Sequence, residues 1–292
     1  MNLKLVDTCI KAYDSTLPGE DKDRLAFFRG LWEVMAQVEG EAAEYDAQTV
    51  ARAIREEVPL FALSAPSLDE GAFQETAKSI AGYLANNGGF DDDLAAAVSS
   101  FDWKAHTEAL PLKGASKDFE AYLDSTARHF AEAGATEQAA HMAALVCSLS
   151  LRALIERQAA CASRALKAEG SDDAHPLRCP VCGTAPSAAH VGGQTSSAGR
   201  GKTLYCHQCG TVWEFERVRC VRCGSRDQEK LHFFNVEGDE AHRIATCDEC
   251  GNYIRTVYSE NDLAPFSFEV EDVVMARLDA IAQDPRIMKK SE

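Results

Sequence analysis

The chain has 292 residues, 46% of them apolar and 26% charged, enough for two or three compact domains with sizeable cores. Its formal net charge is −16, and of its 46 acidic and 30 basic residues the first 174 positions hold 29 and 16. A surface this acidic is repelled by phosphate backbones unless one face is locally basic, which weighs against nucleic-acid binding as the general role.

The opening segment MNLKLVDTCIKAYD lacks an apolar run behind a basic head, so no secretory signal is expected. The most hydrophobic stretch, MAALVCSLSL from Met142, stops at Arg152, short of the roughly 20 apolar residues that cross a bilayer. No membrane span and a cytoplasmic location are therefore expected.

Up to about residue 169 the apolar residues recur at helical intervals, with no sustained period-2 alternation. Helices are predicted over Asp21–Glu39, Ala47–Glu57, Leu68–Leu84, Lys117–Glu132 and Thr136–Lys167. Ser67 with Glu70 reads as a capping box, Asp91, Ser116 and Thr136 as further N-caps, and Gly88-Gly89 and Gly134 as stops. On the Thr136 helix, Met142, Leu145, Val146, Leu149, Ala153, Leu154 and Ile155 form a broad apolar stripe suited to a central helix. Cys147 and Cys161 on that helix, and the isolated Cys9, have no ligand spacing and are read as structural thiols.

Composition shifts at Glu169-Gly170-Ser171-Asp172-Asp173, a polar joint taken as a domain boundary. Beyond it short alternating strands are predicted: TVWEFERV puts Trp213 and Phe215 on one face, and YIRTVY alternates likewise. The glycine-rich stretch His190–Lys202 is expected to be a mobile tip. After Pro265, EVEDVVMARLDAIAQ returns to helical spacing through Val270, Val273, Val274, Arg277, Leu278 and Ile281, a final helix expected to dock on another domain.

The cysteines carry the chemistry. Four Cys-x-x-Cys pairs, Cys179/Cys182, Cys206/Cys209, Cys220/Cys223 and Cys247/Cys250, are each followed by glycine. Cys182 and Cys206 are separated by 23 residues, and so are Cys223 and Cys247, so the pattern repeats after 41 residues as a duplication would. Two thiolates two residues apart reach one ion only across a sharp turn, which a following glycine with φ > 0 permits, and two facing turns complete a tetrahedral shell of four sulfurs. A redox Cys-x-x-Cys occurs singly at a helix start, and eight buried cysteines at such intervals by chance is remote. The repeat pairs Cys179, Cys182, Cys206 and Cys209 as one metal site and Cys220, Cys223, Cys247 and Cys250 as the other. A tetrahedral four-thiolate site accepts iron or zinc, redox-active or structural, and a closed shell leaves no position for metal-assisted hydrolysis.

His190, His207, His232 and His242 lie near these sets but are read as surface or strand residues, each set being already complete. Arg217, Arg219, Arg222 and Arg226 are read as solvated charges balancing Glu214, Glu216, Asp227 and the anionic sites, with a docking surface for an acidic partner as the sharper alternative. No phosphate loop, nucleophile elbow or acid/base pair is readable, so no enzyme activity is expected. The expected architecture is multidomain α+β: an acidic all-α domain (1–170), two tandem rubredoxin-like or zinc-ribbon modules (175–215 and 216–262), then a C-terminal helix and tail (263–292).

This order of parts resembles FdhE, the bacterial formate dehydrogenase accessory protein family, most specifically in RCPVCG from Arg178, YCHQCGTVWEFERVRCVRCG from Tyr205, TCDECGNYIRTVY from Thr246 and the following VEDVVMARLD. The family's eight cysteines map without a gap onto the eight of the four Cys-x-x-Cys pairs. The resemblance implies a cytoplasmic factor that binds the catalytic subunit of respiratory formate dehydrogenase and is needed for its activation, with no turnover of its own. Two other classes compete: a zinc-ribbon nucleic-acid binder, suggested by the arginines with Trp213, Phe215, Phe233 and Phe234, and a stand-alone rubredoxin-type electron carrier, which requires iron.

Overall fold

Short polar side chains start the N-terminal helices by capping their free N–H groups. In the computed structural model, which describes residues 1–170, 175–196, 199–259 and 264–283, Asn2 caps α1 (Leu3–Ala12) and Asp46 caps α3 (Ala47–Glu56). Asp69, Asp91, Asp102, Asp118 and Thr136 do the same for α5 (Glu70–Asn87), α6 (Asp92–Ser99), α7 (Trp103–Ala109), α8 (Phe119–Glu132) and α9 (Glu137–Ala168). Asp91 and Thr136 cap as predicted. Ser67 and Ser116 do not, because an aspartate two residues further on takes each position with a carboxylate that accepts from the third residue beyond it. Two helices follow prolines: α2 (Gly19–Ala36) and the single turn α4 (Leu60–Leu63).

The 32-residue α9 is the axis of this half, with α3, α5, α6 and α8 packed around it. Its buried face runs through Ala143, Val146, Cys147, Ser150, Leu151 and Leu154, whereas Leu145, expected on the stripe, is 44% exposed. Leu151 and Leu154 pack inward beside the small residues Ala143, Cys147 and Ser150, and Leu145 falls at the edge of that face. By length and composition α9 would pass for a membrane span, yet 61% of its most apolar 18-residue window is buried inside the fold.

The C-terminal half is one six-stranded sheet in the order β3-β2-β1-β6-β5-β4, made of β1 (Ala188–Ser196), β2 (Gly199–Tyr205), β3 (Val212–Phe215), β4 (Leu231–Asn235), β5 (His242–Cys247) and β6 (Asn252–Tyr258). Each three-stranded set is an antiparallel meander, and the two join where β1 runs parallel to β6, Ala188 opposite Arg255. Most of the segment expected as a glycine-rich tip is paired strand; residues 197 and 198 lie outside the described ones, as do 171–174 of the expected joint and 284–292 of the tail.

The predicted final helix is two, α10 (Phe268–Val274) and α11 (Ala276–Ala282), meeting at Met275. They dock on both halves, α10 against α1 and α2, α11 against β5 and β6. One core runs from Leu25, Phe61, Phe73 and Ile155 into Val181, Leu204 and Trp213, while a smaller one joins Tyr205, Ile244 and Val257 to Phe268, Met275 and Leu278. The first three-stranded set therefore shares its interior with the helices.

Candidate metal centres

Each Cys-x-x-Cys-Gly segment folds into the same tight turn. The glycine N–H donates to the carbonyl of the first cysteine at 2.9, 2.8, 3.1 and 2.8 Å, and Gly183, Gly210, Gly224 and Gly251 take φ of 81°, 76°, 80° and 67°. That left-handed conformation is open to glycine at little cost and is what turns both sulfurs of a pair to one side.

The turns meet in two pairs, bringing the eight cysteines into the two groups expected from the repeat: Cys179, Cys182, Cys206 and Cys209, then Cys220, Cys223, Cys247 and Cys250, with the sulfurs of each group within 4.8 Å of one another. Across the first group the Sγ atoms of Cys179 and Cys209 are 3.6 Å apart and those of Cys182 and Cys206 3.5 Å; across the second, Cys220 to Cys250 and Cys223 to Cys247 are both 3.8 Å. An ion bound tetrahedrally at about 2.3 Å per Zn–S bond needs sulfurs roughly 3.8 Å apart. Donor chemistry and spacing both fit, so each group could hold one ion.

Further donors surround the first group: the Thr184 hydroxyl lies 3.4 Å from Cys182 Sγ and the Thr211 hydroxyl 3.1 Å from Cys209 Sγ. To a thiolate each would donate. In the second group the backbone N–H of Arg222 donates to Cys220 Sγ at 3.4 Å.

The helical half grips the first group directly. Leu60 and Phe61 at the start of α4 donate their N–H groups to the Pro180 and Val181 carbonyls, both at 2.9 Å. On α9, Ser148 donates to Gln208 at 2.9 Å and Arg152 to the His207 carbonyl at 2.7 Å, and Arg152 also pairs with Glu269 of α10 at 2.9 Å. The Trp213 indole donates to the Pro176 carbonyl at 2.9 Å. A groove of about 1050 Å³ lies alongside, lined among others by Pro59, Phe119, Leu166, Cys182 and Trp213.

Among the described residues, none of the four histidines expected near the cysteines joins either sulfur group. His190 sits 2.8 Å from Ser259 and stacks on Phe266, His207 is exposed, and His232 pairs with Asp248 at 2.8 Å. His242 is a strand residue, but a buried one: Nδ1 lies 2.9 Å from Asp239 and Nε2 2.9 Å from Glu271, whose carboxylate also accepts from Tyr13 at 2.8 Å. Although burial opposes protonation, the two carboxylates raise His242 to about 9. Sequence reasoning missed this network because its members lie far apart in the chain. The sole hint was the spacing of Asp239 from His242.

In the arginine cluster, Glu216 takes Arg226 at 2.7 Å and Arg219 at 3.0 Å, and Arg226 chiefly pulls its carboxyl down to about 2. Arg219 lies 5.3 Å over the Phe215 ring. Both arginines are thus internally paired, Arg226 as an exposed charge as expected, whereas Arg219 is largely buried and also donates to the Gly224 and His175 carbonyls. Cys9 and Cys147 are buried and Cys161 is half-buried, all outside the two groups.

Fold and geometry together define a class: an α-helical domain fused to a tandem of four-cysteine ribbons in one sheet. No sequence-family profile matches the chain. A protein FdhE from Escherichia coli is 35% identical over 85 residues, 29% of this chain and 26% of that protein, and an FdhE homolog from Aquifex aeolicus is 31% identical over 111 residues, 38% of each. The matched stretches thus span well under half of those relatives. The crystal structure of FdhE from Pseudomonas aeruginosa covers 96% of this chain and 88% of its own with a TM-score of 0.54 at 17% identity, a likeness of fold. The chain is therefore similar to FdhE proteins over its matched stretches and shares the fold of the Pseudomonas aeruginosa FdhE.

Proposed function

We propose that the chain is an accessory factor for respiratory formate dehydrogenase, binding that enzyme's catalytic subunit in the cytoplasm and required for its activation. The observation that carries this reading is the pair of four-cysteine groups held in a fold shared with an FdhE over nearly the whole chain. Under it, Cys179, Cys182, Cys206 and Cys209 bind one ion and Cys220, Cys223, Cys247 and Cys250 another, iron or zinc. Zinc supplies a rigid redox-silent cross-link and iron a one-electron couple. The chain itself keeps the sulfurs spaced by the glycine turns, shields the first group with α4 and α9, and leaves no open ligand position. The same reading keeps the division at 1–170, 175–215, 216–262 and 263–292 as units of function, the last three described only in part.

The test is capture with tagged full-length protein from cells grown on formate as electron donor, with captured proteins identified by mass spectrometry. Recovery of a formate dehydrogenase catalytic subunit, lost when the cysteines are replaced, supports the reading. Its absence from the captured set contradicts it.

A further inference from the structure

The two four-cysteine groups are alike in spacing and unlike in surroundings. In the first, Cys179, Cys182, Cys206 and Cys209 are 1%, 8%, 0% and 1% exposed. The helical half closes over them: α4 backbone N–H groups bond to the first turn, Arg152 and Ser148 of α9 hold the second, and Arg178 bonds back across the first turn to the Gly183 carbonyl while pairing with Glu120 of α8. The neighbouring groove reaches Cys182 and leaves it only that 8%. Even the turn glycine is covered, since a Cβ on Gly183 would stand 2.9 Å from Pro59.

In the second group Cys220 and Cys247 are 7% and 3% exposed, but Cys223 is open to solvent and Cys250 half-buried. Among the described residues no helix closes over this face as α4 and α9 do over the first. Arg222, Asp248 and Glu249, inside its two turns, are all exposed, and a Cβ on Gly251 would meet nothing within 4 Å. The half-buried Ser225, just past the first of these turns, donates its hydroxyl to Glu249 in the second at 2.7 Å.

We propose that the two sites do different work: the first is a permanent structural centre that locks the helical half to the sheet, and the second is an exchange site whose ion can be reached by an incoming thiolate donor or chelator through Cys223. The inference rests on the reading that both groups bind metal. Substitution at the second site proceeds without redox change. The incoming donor forms a bond to the ion as the bond from the ion to Cys223 Sγ breaks, and the freed thiolate takes a proton from water. At the first site the same step requires α4 and α9 to lift away from the turns, a local unfolding that costs the hydrogen bonds and packing described above. A soft, thiolate-bearing acceptor such as a cysteine-containing peptide is the ligand class suited to the second site, because it matches the sulfur it replaces.

Full-length zinc-loaded protein, first assayed for two ions per chain, is mixed with excess 4-(2-pyridylazo)resorcinol, and release is followed at the absorbance of the zinc complex. In parallel, N-ethylmaleimide adducts are mapped by peptide mass spectrometry over time, with half-buried Cys161 as the reference for an ordinary thiol. Two phases of equal amplitude are expected, the faster by on the order of tenfold or more. Adducts should appear at Cys223 and Cys250 with the fast phase and at Cys179, Cys182, Cys206 and Cys209 only with the slow one. C223S should retain one ion and show the slow phase alone; should it misfold, the mapping on the unsubstituted chain still decides. A single common rate, or first-group cysteines labelled before Cys223, overturns the inference while leaving the metal sites standing. Fewer than two ions at the start overturns the metal reading and this inference together.

Discussion

Arg152→Met should be among the most damaging single changes outside the cysteines. The guanidinium is buried between three elements: it donates to the His207 carbonyl inside the second cysteine turn, pairs with Glu269 of α10 and lies 5.6 Å over the Tyr205 ring. Methionine fills much of the volume but leaves the Glu269 carboxylate, itself mostly buried, facing no positive charge, with the Tyr205 and Ser267 hydroxyls as its remaining donors. Removing one partner of a buried pair costs about 3–5 kcal/mol. For a protein of this size that lowers the melting temperature by roughly 10 °C, at about 2–4 °C per kcal/mol. The assay is thermal and urea unfolding of metal-loaded protein, completed as a cycle with Glu269→Gln. The double variant should lose less than the sum of the single losses, since no uncompensated charge remains. A loss below about 1 kcal/mol for Arg152→Met, or strict additivity in the cycle, would refute the idea that this pair locks α9, the second cysteine turn and α10 together.

The His242 network predicts a pH dependence. Its folded-state value is raised from 6.5 to about 9, so the stabilisation it contributes is fully present below about 6.5 and fades as pH rises through 9, amounting to about 3 kcal/mol. Urea midpoints of the parent chain should fall between pH 6.5 and 9.5, and His242→Gln should flatten that slope; an unchanged slope refutes it. Gly183→Ala should disrupt the first turn, because its φ of 81° is strained for alanine and the new Cβ meets Pro59. Gly251→Ala, strained but in open space, should cost only about 1 kcal/mol in the same unfolding assay. Cys147→Ala should keep both ions and lose about 1–2 kcal/mol of packing, read by metal analysis and melting.

The cysteine groups were legible in sequence because a tetrahedral thiolate site imposes its own spacing: the 23-residue interval and the glycine after each pair hold whatever the rest of the chain does. Helices α3, α8 and α9 were legible for a similarly local reason, their apolar periodicity and polar starts. Long-range pairing was not. Nothing near Arg152 in sequence announces Glu269, nothing near Tyr13 announces Glu271, and the parallel register of β1 on β6 joins segments whose local patterns are complete without it. Leu145 was misplaced because hydropathy cannot tell an apolar residue at the packed face from one at its edge. The different surroundings of the two four-cysteine groups are equally invisible in a repeat that is uniform letter by letter at the ligands.

Metal counting on Cys182→Ser and Cys247→Ser, beside the unsubstituted chain, tests most directly the claim that the eight cysteines form two self-contained sites. Each structural ion contributes on the order of 10 kcal/mol to the fold around it, so a lost site is lost outright. One ion should remain in each variant, held by Cys220, Cys223, Cys247 and Cys250 in the first and by Cys179, Cys182, Cys206 and Cys209 in the second. Two ions retained in either variant, or none in both, would contradict the account.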